Sequence, residues 1–476
     1  MNNEKQQGTV LEPKQRIMLF VLTMSSFVVV LDSSSMFIPL PTIMKDLGGS
    51  LDQATWVIAA FTLSFAVFLH PSAAVANIYG KRKLFLSGVM VFTIFSIACA
   101  IAPSMEFLIG ARIVLGIGAA MIEASVFALI KTTFTGEKQQ LAFKVQGIAF
   151  IAGALLGTPL SGAITTFLSW EYIFWLNVLI GIVVILATPY VISKSSPVYD
   201  QQMPNMTGLV FGGIGLFLLF FSIIEGAQFG WFSPVILAFF GVSIALLFLF
   251  VISELCVQHP LINMRLFHKS FTLGNFLRWA SEFASMGIYF AISDFLQTQI
   301  GYSALISGLL LLTVIVGGIV VSPVTELLAK RVDARWLVTP GFLLVAIGTF
   351  WLAHVSAETT WVFFLAPLVV AGAGFVAQED LSVNIRDKNV STKKSDAAWR
   401  ISYTIFLLGI GLGVSVVSAI WQSQLMANVK EAEAINGALL SCVLVSLLGA
   451  IIGLFVSANR KRVASNEDIT GKGGSK

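Results

Sequence analysis

The chain has 476 residues, of which 57% are hydrophobic and only 11% charged, with a mean hydropathy of +0.88. A soluble domain carries about 25% charged residues, so this composition excludes a soluble enzyme and a nucleic-acid-binding protein. The net charge of +4 is modest, and the three cysteines (Cys99, Cys256, Cys442) are too few and too dispersed for a disulfide framework or a metal-binding pair.

Met1–Gln15 is polar, and an apolar run follows from Ile17 to Leu40. That run exceeds the about 7–15 residues of a signal-peptide core and lacks a small-residue cleavage site, so it reads as a retained first span. Further windows of about 20 apolar residues predict spans over 54–76, 84–102, 107–130, 141–167, 171–193, 207–226, 232–256, 271–299, 303–328, 336–355, 359–381, 398–422 and 436–458, fourteen in all. The runs are continuous rather than alternating, which predicts helices and not a barrel. Two windows stand apart: 207–226 is short and glycine-rich, and 271–299 contains Arg278, Glu282 and Asp294.

With a cytoplasmic N-terminus, 24 of the 29 basic residues fall on inner segments. Only Lys45 and Lys430 fall on outer loops, and Arg112, Arg278 and Arg400 lie in or at the ends of spans. This asymmetry predicts a multi-pass protein of the cell (inner) membrane with both termini cytoplasmic. Polar linkers then divide the chain into an N-terminal six-helix bundle (1–195), a linker with two inserted helices (196–265), a C-terminal six-helix bundle (266–460) and a cytoplasmic tail (461–476). Repeated halves of this kind occur in secondary transporters, with the substrate site between them near the bilayer midplane. No GxxxxGK[ST] or GxSxG motif is present, so the energy for transport is expected from an ion gradient, without a cofactor or metal.

In the first span, Leu31-Asp32-Ser33-Ser34-Ser35 runs on to Pro39-Leu40-Pro41 and Lys45-Asp46-Leu47. The second inner loop ends Asn77-Ile78-Tyr79-Gly80-Lys81-Arg82-Lys83. The fourth span holds Arg112-Ile113-Val114-Leu115-Gly116-Ile117-Gly118-Ala119-Ala120, the fifth holds Gly153–Gly162 (GALLGTPLSG), and Ser169-Trp170-Glu171 precedes Phe174-Trp175-Leu176-Asn177. These segments resemble LDxTIVxxALPxIxxDL, GxLADRxGRK, RxxQGxGAA, GxxxGPxxGG and SWRWxFxIN, the signatures of the fourteen-span drug:proton antiporters of the major facilitator superfamily. Asn77 stands for an Asp, Leu115 for a Gln and Ser161 for a Gly, and Pro159 falls one place late. The resemblance covers spans one to six by motif and the rest by span count and loop pattern. It implies an all-α major facilitator fold, two six-helix bundles plus a two-helix insert, and a proton-coupled antiporter exporting lipophilic, cationic drugs or biocides by alternating access. The bilayer, a small lipophilic substrate and protons are the expected partners, nucleic acid is not, and a monomer is expected. Two other readings stay open: an exporter of one endogenous metabolite, lipid, siderophore or tetracycline-type antibiotic, and a non-transporting membrane sensor or assembly partner.

Charges inside spans are the candidate working groups, since each costs about 2.5–3.5 kcal/mol to insert. Asp32 is expected to carry a proton or sense a cation, or else to hydrogen-bond a neighbouring helix. Eleven residues separate Arg112 from Glu123, close to three helical turns, so both lie on one face about 16 Å apart. The resemblance implies proton handling by Arg112; Glu123 is this chain's own acid, expected to bind a proton or substrate cation or to form a structural pair. Arg278 and Glu282 are spaced for a pair within one helix. Asp294 is expected near the outer end, where water can solvate it. Glu379 and Asp380 are adjacent, so at most one faces a cavity, and Arg400 is a possible partner for these acids. Gly153 and Gly157 form a GxxxG step and, with Pro159 and Gly162, resemble the superfamily's hinge between halves. Gly80, Lys81 and Arg82 are expected to latch inner helix ends. Gly409, Gly411 and Gly413 suggest a second close contact.

Overall fold

The computed structural model describes residues 11–193, 205–329, 331–356, 358–387, 390–391 and 394–456, with the backbone alone at 380, 384 and 387. The predicted tail 461–476, most of the 196–205 linker, and basic residues such as Lys5, Lys194, Lys330, Lys388, Lys393 and Arg460 lie outside these residues.

Apolar runs become helices because lipid offers no partner for backbone N–H and C=O groups. The first run does not continue to Leu40. Helix α1 (Pro13–Ser35) stops before Pro39 and Pro41, which remove donors from the ladder, and a short α2 (Leu40–Leu47) follows, closed by Gly48 at φ +66°. The N-terminal half is completed by α3 (Leu51–Tyr79), α4 (Lys81–Ala100), α5 (Met105–Thr133), α6 (Gly136–Phe167) and α7 (Glu171–Val191). Then come α8 (Met206–Ile224), the single turn α9 (Gly226–Phe229) and α10 (Pro234–Cys256). The C-terminal half comprises α11 (Lys269–Thr298), α12 (Ala304–Ala329), α13 (Arg335–Leu352), α14 (Trp361–Asp387), α15 (Ser395–Met426) and α16 (Glu431–Leu454). Ser50 and Ser104 cap α3 and α5 by accepting the N–H of Gln53 and Phe107.

Thirteen of the described helices are long and apolar enough to cross a membrane. The remaining predicted span, 271–299, is α11, an unbroken 30-residue helix. Arg278, Glu282 and Asp294 lower its hydropathy, and it packs against α14, α15 and α16 with Glu282 and Asp294 buried. Its charges therefore face protein rather than lipid.

The two halves meet along two seams, α3 against α15 and α6 against α12. In each, the second spanning helix of one half lies against the fifth of the other, as expected for two repeats related by a pseudo-two-fold axis. Small residues allow the approach: a methyl on Gly308 would lie 2.5 Å from the Thr158 carbonyl oxygen, and one on Gly162 the same distance from that of Ala304. Gly153 and Gly157 instead face Phe27, Val30 and Ser34 of α1. The expected hinge between halves is thus split: the GxxxG step packs inside the N-terminal half, and the Thr158–Gly162 segment crosses to the other. Pro159 sits within α6 without interrupting it. Gly308→Val is expected to force α6 and α12 apart at a cost of about 1–3 kcal/mol, as overpacking does, read as a lowered melting temperature of the purified protein.

The two inserted helices lie to one side. α8 packs on α10, on α3 and on α15, whereas α10 is mostly exposed, as a lipid-facing helix is. The turn between them touches both halves: Trp56 Nε1 donates to Glu225 (2.9 Å), and Trp231 Nε1 donates to Ser423 (2.9 Å). Burial raises the Glu225 carboxyl above its usual range, and the Trp56 hydrogen bond partly offsets this.

Candidate functional site

Asp32 and Arg112, predicted separately, form one buried unit. Arg112 Nη1 donates to Asp32 Oδ2 in an ion pair, with the side chains 1% and 0% exposed. Asn177 Nδ2 donates to Asp32 Oδ1 (2.7 Å), Arg112 Nε donates to the Val57 carbonyl (3.1 Å), and the guanidinium lies 4.1 Å from the centre of the Phe61 ring. Both oxygens of the acid and two faces of the base are satisfied, joining α1, α3, α5 and α7. Asn177 was quoted only as part of a motif; an amide in an apolar span is the signal that marks it as a partner.

Glu123 is 1% exposed and its Oε1 has no hydrogen-bond partner. Ser26 of α1 lies beside it, and Tyr403 of α15 is within its electrostatic reach. Glu123 thus looks across the interface between halves. One turn along α5, Phe127 stacks on Trp399 (4.4 Å, 14°). Trp399 stacks on Tyr403 (5.2 Å, 11°), Tyr403 on Phe406 (5.5 Å, 8°), and the Arg278 guanidinium lies 4.8 Å from the Phe406 ring centre. The i, i+4, i+7 spacing of Trp399, Tyr403 and Phe406 sets these rings on one face of α15. That spacing was legible in the sequence, but lipid-facing stripes have it too.

Arg278 reaches across to Glu379 of α14 (Nη1 to Oε1, 3.3 Å), rather than forming the expected pair within its own helix. Glu282, one turn along α11, is buried beside Arg278 and Glu379, and Tyr403 and Tyr289 lie within its reach. Asp380 has no described side chain. Asp294 is not solvated: it is buried, and Thr298 Oγ1 donates to its Oδ2 (3.0 Å). The acid acting on Arg400 is Asp396, one turn earlier on α15.

Two sets of contacts hold the ends of the interface. At the end opposite the basic helix termini, Ser293 Oγ and Gln297 Nε2 donate to the carbonyls of Phe37 (2.8 Å) and Ile38 (2.9 Å). Thr55 donates to Ser418 (2.6 Å) and Gln422 to Asp52 (2.7 Å) at the same end. At the basic end, Lys131 Nζ lies 2.6 Å from Asp396, with Lys81 in the electrostatic field of both. Arg82 points within its own half, towards the Pro189 carbonyl (3.5 Å), and Gly80 makes the α3–α4 turn at φ +101°. Lys81 therefore faces the latch. Next to this latch, bounded by Ala124, Phe127 and Trp399, is a space of about 80 Å³. A drug-sized ligand needs about 300–1,000 Å³, so this space does not hold one. Lys131→Ala is expected to leave the melting temperature unchanged, since side chains 35% and 37% exposed form a pair contributing at most about 1 kcal/mol. It is expected to open the basic end instead. A cysteine at Ala124, in a background lacking the exposed Cys256, should then be alkylated severalfold faster.

Two six-helix halves joined by close seams, with opposed acids and an aromatic column between them, define a multi-pass membrane transport protein and not an enzyme. Residues 22–259 match the Major Facilitator Superfamily, and the chain belongs to that superfamily. It is 28% identical over 442 residues to "Multidrug export protein EmrB" of Escherichia coli, covering 90% of this chain and 85% of that protein. It is 26% identical over 418 residues to "Multidrug resistance protein Stp" of Mycobacterium tuberculosis, covering 87% and 78%. Its fold is similar to that of a bacterial homologue of the human lysosomal transporter Spinster in an inward-facing and occupied conformation, with a TM-score of 0.65, 14% identity, and coverage of 94% and 97%.

Proposed function

We propose that the chain is a proton-coupled antiporter that exports lipophilic, cationic drugs or biocides by alternating access. Glu123 carries this reading: a carboxyl buried at the interface between halves, with an unpartnered oxygen, beside a column of stacked rings. A flat cation gains from the rings by cation–π and apolar contact and from the acid by charge. A proton and a cation compete for one carboxylate, so binding one releases the other. The Asp32–Arg112–Asn177 unit sets the position of α5 relative to α1 and α7 and couples that competition to helix movement. Glu282, with Arg278 and Glu379, is the matching group of the second half.

In the membrane, the basic end is cytoplasmic, because Lys and Arg are retained on that side. The protein works as a monomer in the cell membrane, without a cofactor, with the proton gradient as its energy source. The multidrug export relatives support a drug substrate. The test is uptake of a lipophilic dye cation into inverted vesicles energised by a pH gradient. Uptake that collapses with the gradient is expected. Gradient-independent or absent uptake of every cation tried overturns the reading and favours an exporter of one endogenous compound.

A further inference from the structure

A second cavity, of about 190 Å³, lies where the insert meets both halves. Its walls are α3, α8, α10, α15 and the Leu261–Phe267 segment, and nearly all of the surface is apolar. Gly208, Gly212 and Gly213 line its α8 side, where a methyl on Gly212 would meet Phe250 and one on Gly213 would meet Val67. At about 30 Å³ for each water-sized group, the space takes about six methylenes of a chain. It is also larger than the about 150 Å³ apolar cavity that accepts benzene.

Two polar side chains line it: Thr404 of α15, 8% exposed with its Oγ1 unpartnered, and His70. His70 of α3 is 7% exposed, and its Nε2 has no partner. The Leu261 carbonyl lies beside the ring and favours the proton on its other nitrogen, which leaves a lone pair on Nε2, and a buried lone pair favours a donor. The donor is not an ammonium group, because the Arg400 guanidinium acts on the same imidazole and repels a cation. An anion supplies no donor. An uncharged hydroxyl satisfies both conditions.

We infer that this cavity is a binding site for the head end of a single-chain amphiphile with a hydroxyl head, such as a long-chain alcohol or a monoacylglycerol, with the first about six methylenes of its chain beside the α8 glycines and its hydroxyl on His70. The site is separate from the cation path at Glu123. It does not depend on the transport reading, because it rests on the cavity, the orphaned nitrogen and the neighbouring positive charge. An occupant touches the N-terminal half, the insert and the C-terminal half at once, and so bears on the α3–α15 seam.

The test is binding of radiolabelled oleyl alcohol to the purified full chain in nanodiscs, competed by unlabelled oleyl alcohol, methyl oleate and oleylamine. The ester keeps the chain and removes the donor; the amine keeps a donor and adds charge. Saturable binding of the alcohol is expected, with ester and amine at least tenfold weaker. His70→Phe should abolish the preference for alcohol over ester, and Leu216→Trp, which fills the cavity, should abolish binding. Gly213→Leu replaces Leu216→Trp should the latter lower the melting temperature. A diazirine-bearing alcohol should crosslink to α8 and α15 in the unmodified chain. Equal competition by all three compounds, preference for the amine, or crosslinks confined to other helices would each overturn the proposal.

Discussion

Glu123→Gln is expected to weaken binding of a monovalent lipophilic cation by about tenfold to a hundredfold, the equivalent of the about 1.5–3 kcal/mol that a charged partner contributes. Uncharged compounds should bind the variant as they bind the wild type, since the rings of Phe127, Trp399 and Tyr403 are untouched. The melting temperature should not fall. The amide has the shape of the acid, and the variant removes a buried group that is costly to ionise. Coupled uptake in inverted vesicles should collapse in parallel with affinity. Equal loss for charged and uncharged compounds would show that Glu123 shapes the path rather than meeting the charge. Unchanged coupling would move the site to Glu282 in the other half.

The second large effect is one of stability. In Asp32→Ala, Arg112 keeps its contacts to Val57 and Phe61 but loses its only ionic partner among the described residues. Removing one member of a buried pair costs about 3–5 kcal/mol, whereas removing both is close to neutral when the space is filled. Asp32→Ala should therefore unfold at a clearly lower temperature, and Asp32→Leu combined with Arg112→Met should recover most of the loss. The double variant should still fail to transport, because a hydrophobic pair cannot exchange partners as the proton moves. A double variant that transports would confine the pair to a structural role. Neither result bears on Glu123, which lies eleven residues further along α5 and does not touch the pair.

Asp32, Arg112 and Glu123 stand out in the sequence because a charge in a span is expensive and therefore rare. Their pairing does not: Asp32 and Arg112 are 80 residues apart, and only the packing of α1 on α5 and α7 brings them together with Asn177. The same holds for Arg278. Its spacing favours Glu282 on the same helix, but a long guanidinium crosses to Glu379 when the neighbouring helix lies close enough. Asp294 looked solvated because it is near a helix end; it is buried, and Thr298 of the next turn donates to it. His70, a single histidine in an apolar stretch, gave no signal until the insert and the linker closed around it.

Composition by itself determined the solvent and the helical class, because hydrophobic length and backbone satisfaction are local properties of each segment. The distribution of Lys and Arg marked which helix ends share a face. The division into halves was legible from linkers and span count. What only the tertiary structure decided is who faces whom: which glycines meet the other half, which acid is satisfied and which is left open, and which of the many aromatic residues stack. Those relations depend on helices distant in sequence, and a span's own sequence does not specify the rotation or neighbour that packing imposes. The low share of charged residues that excluded a soluble protein is, in three dimensions, a short set of buried groups, some paired across helices and some left open.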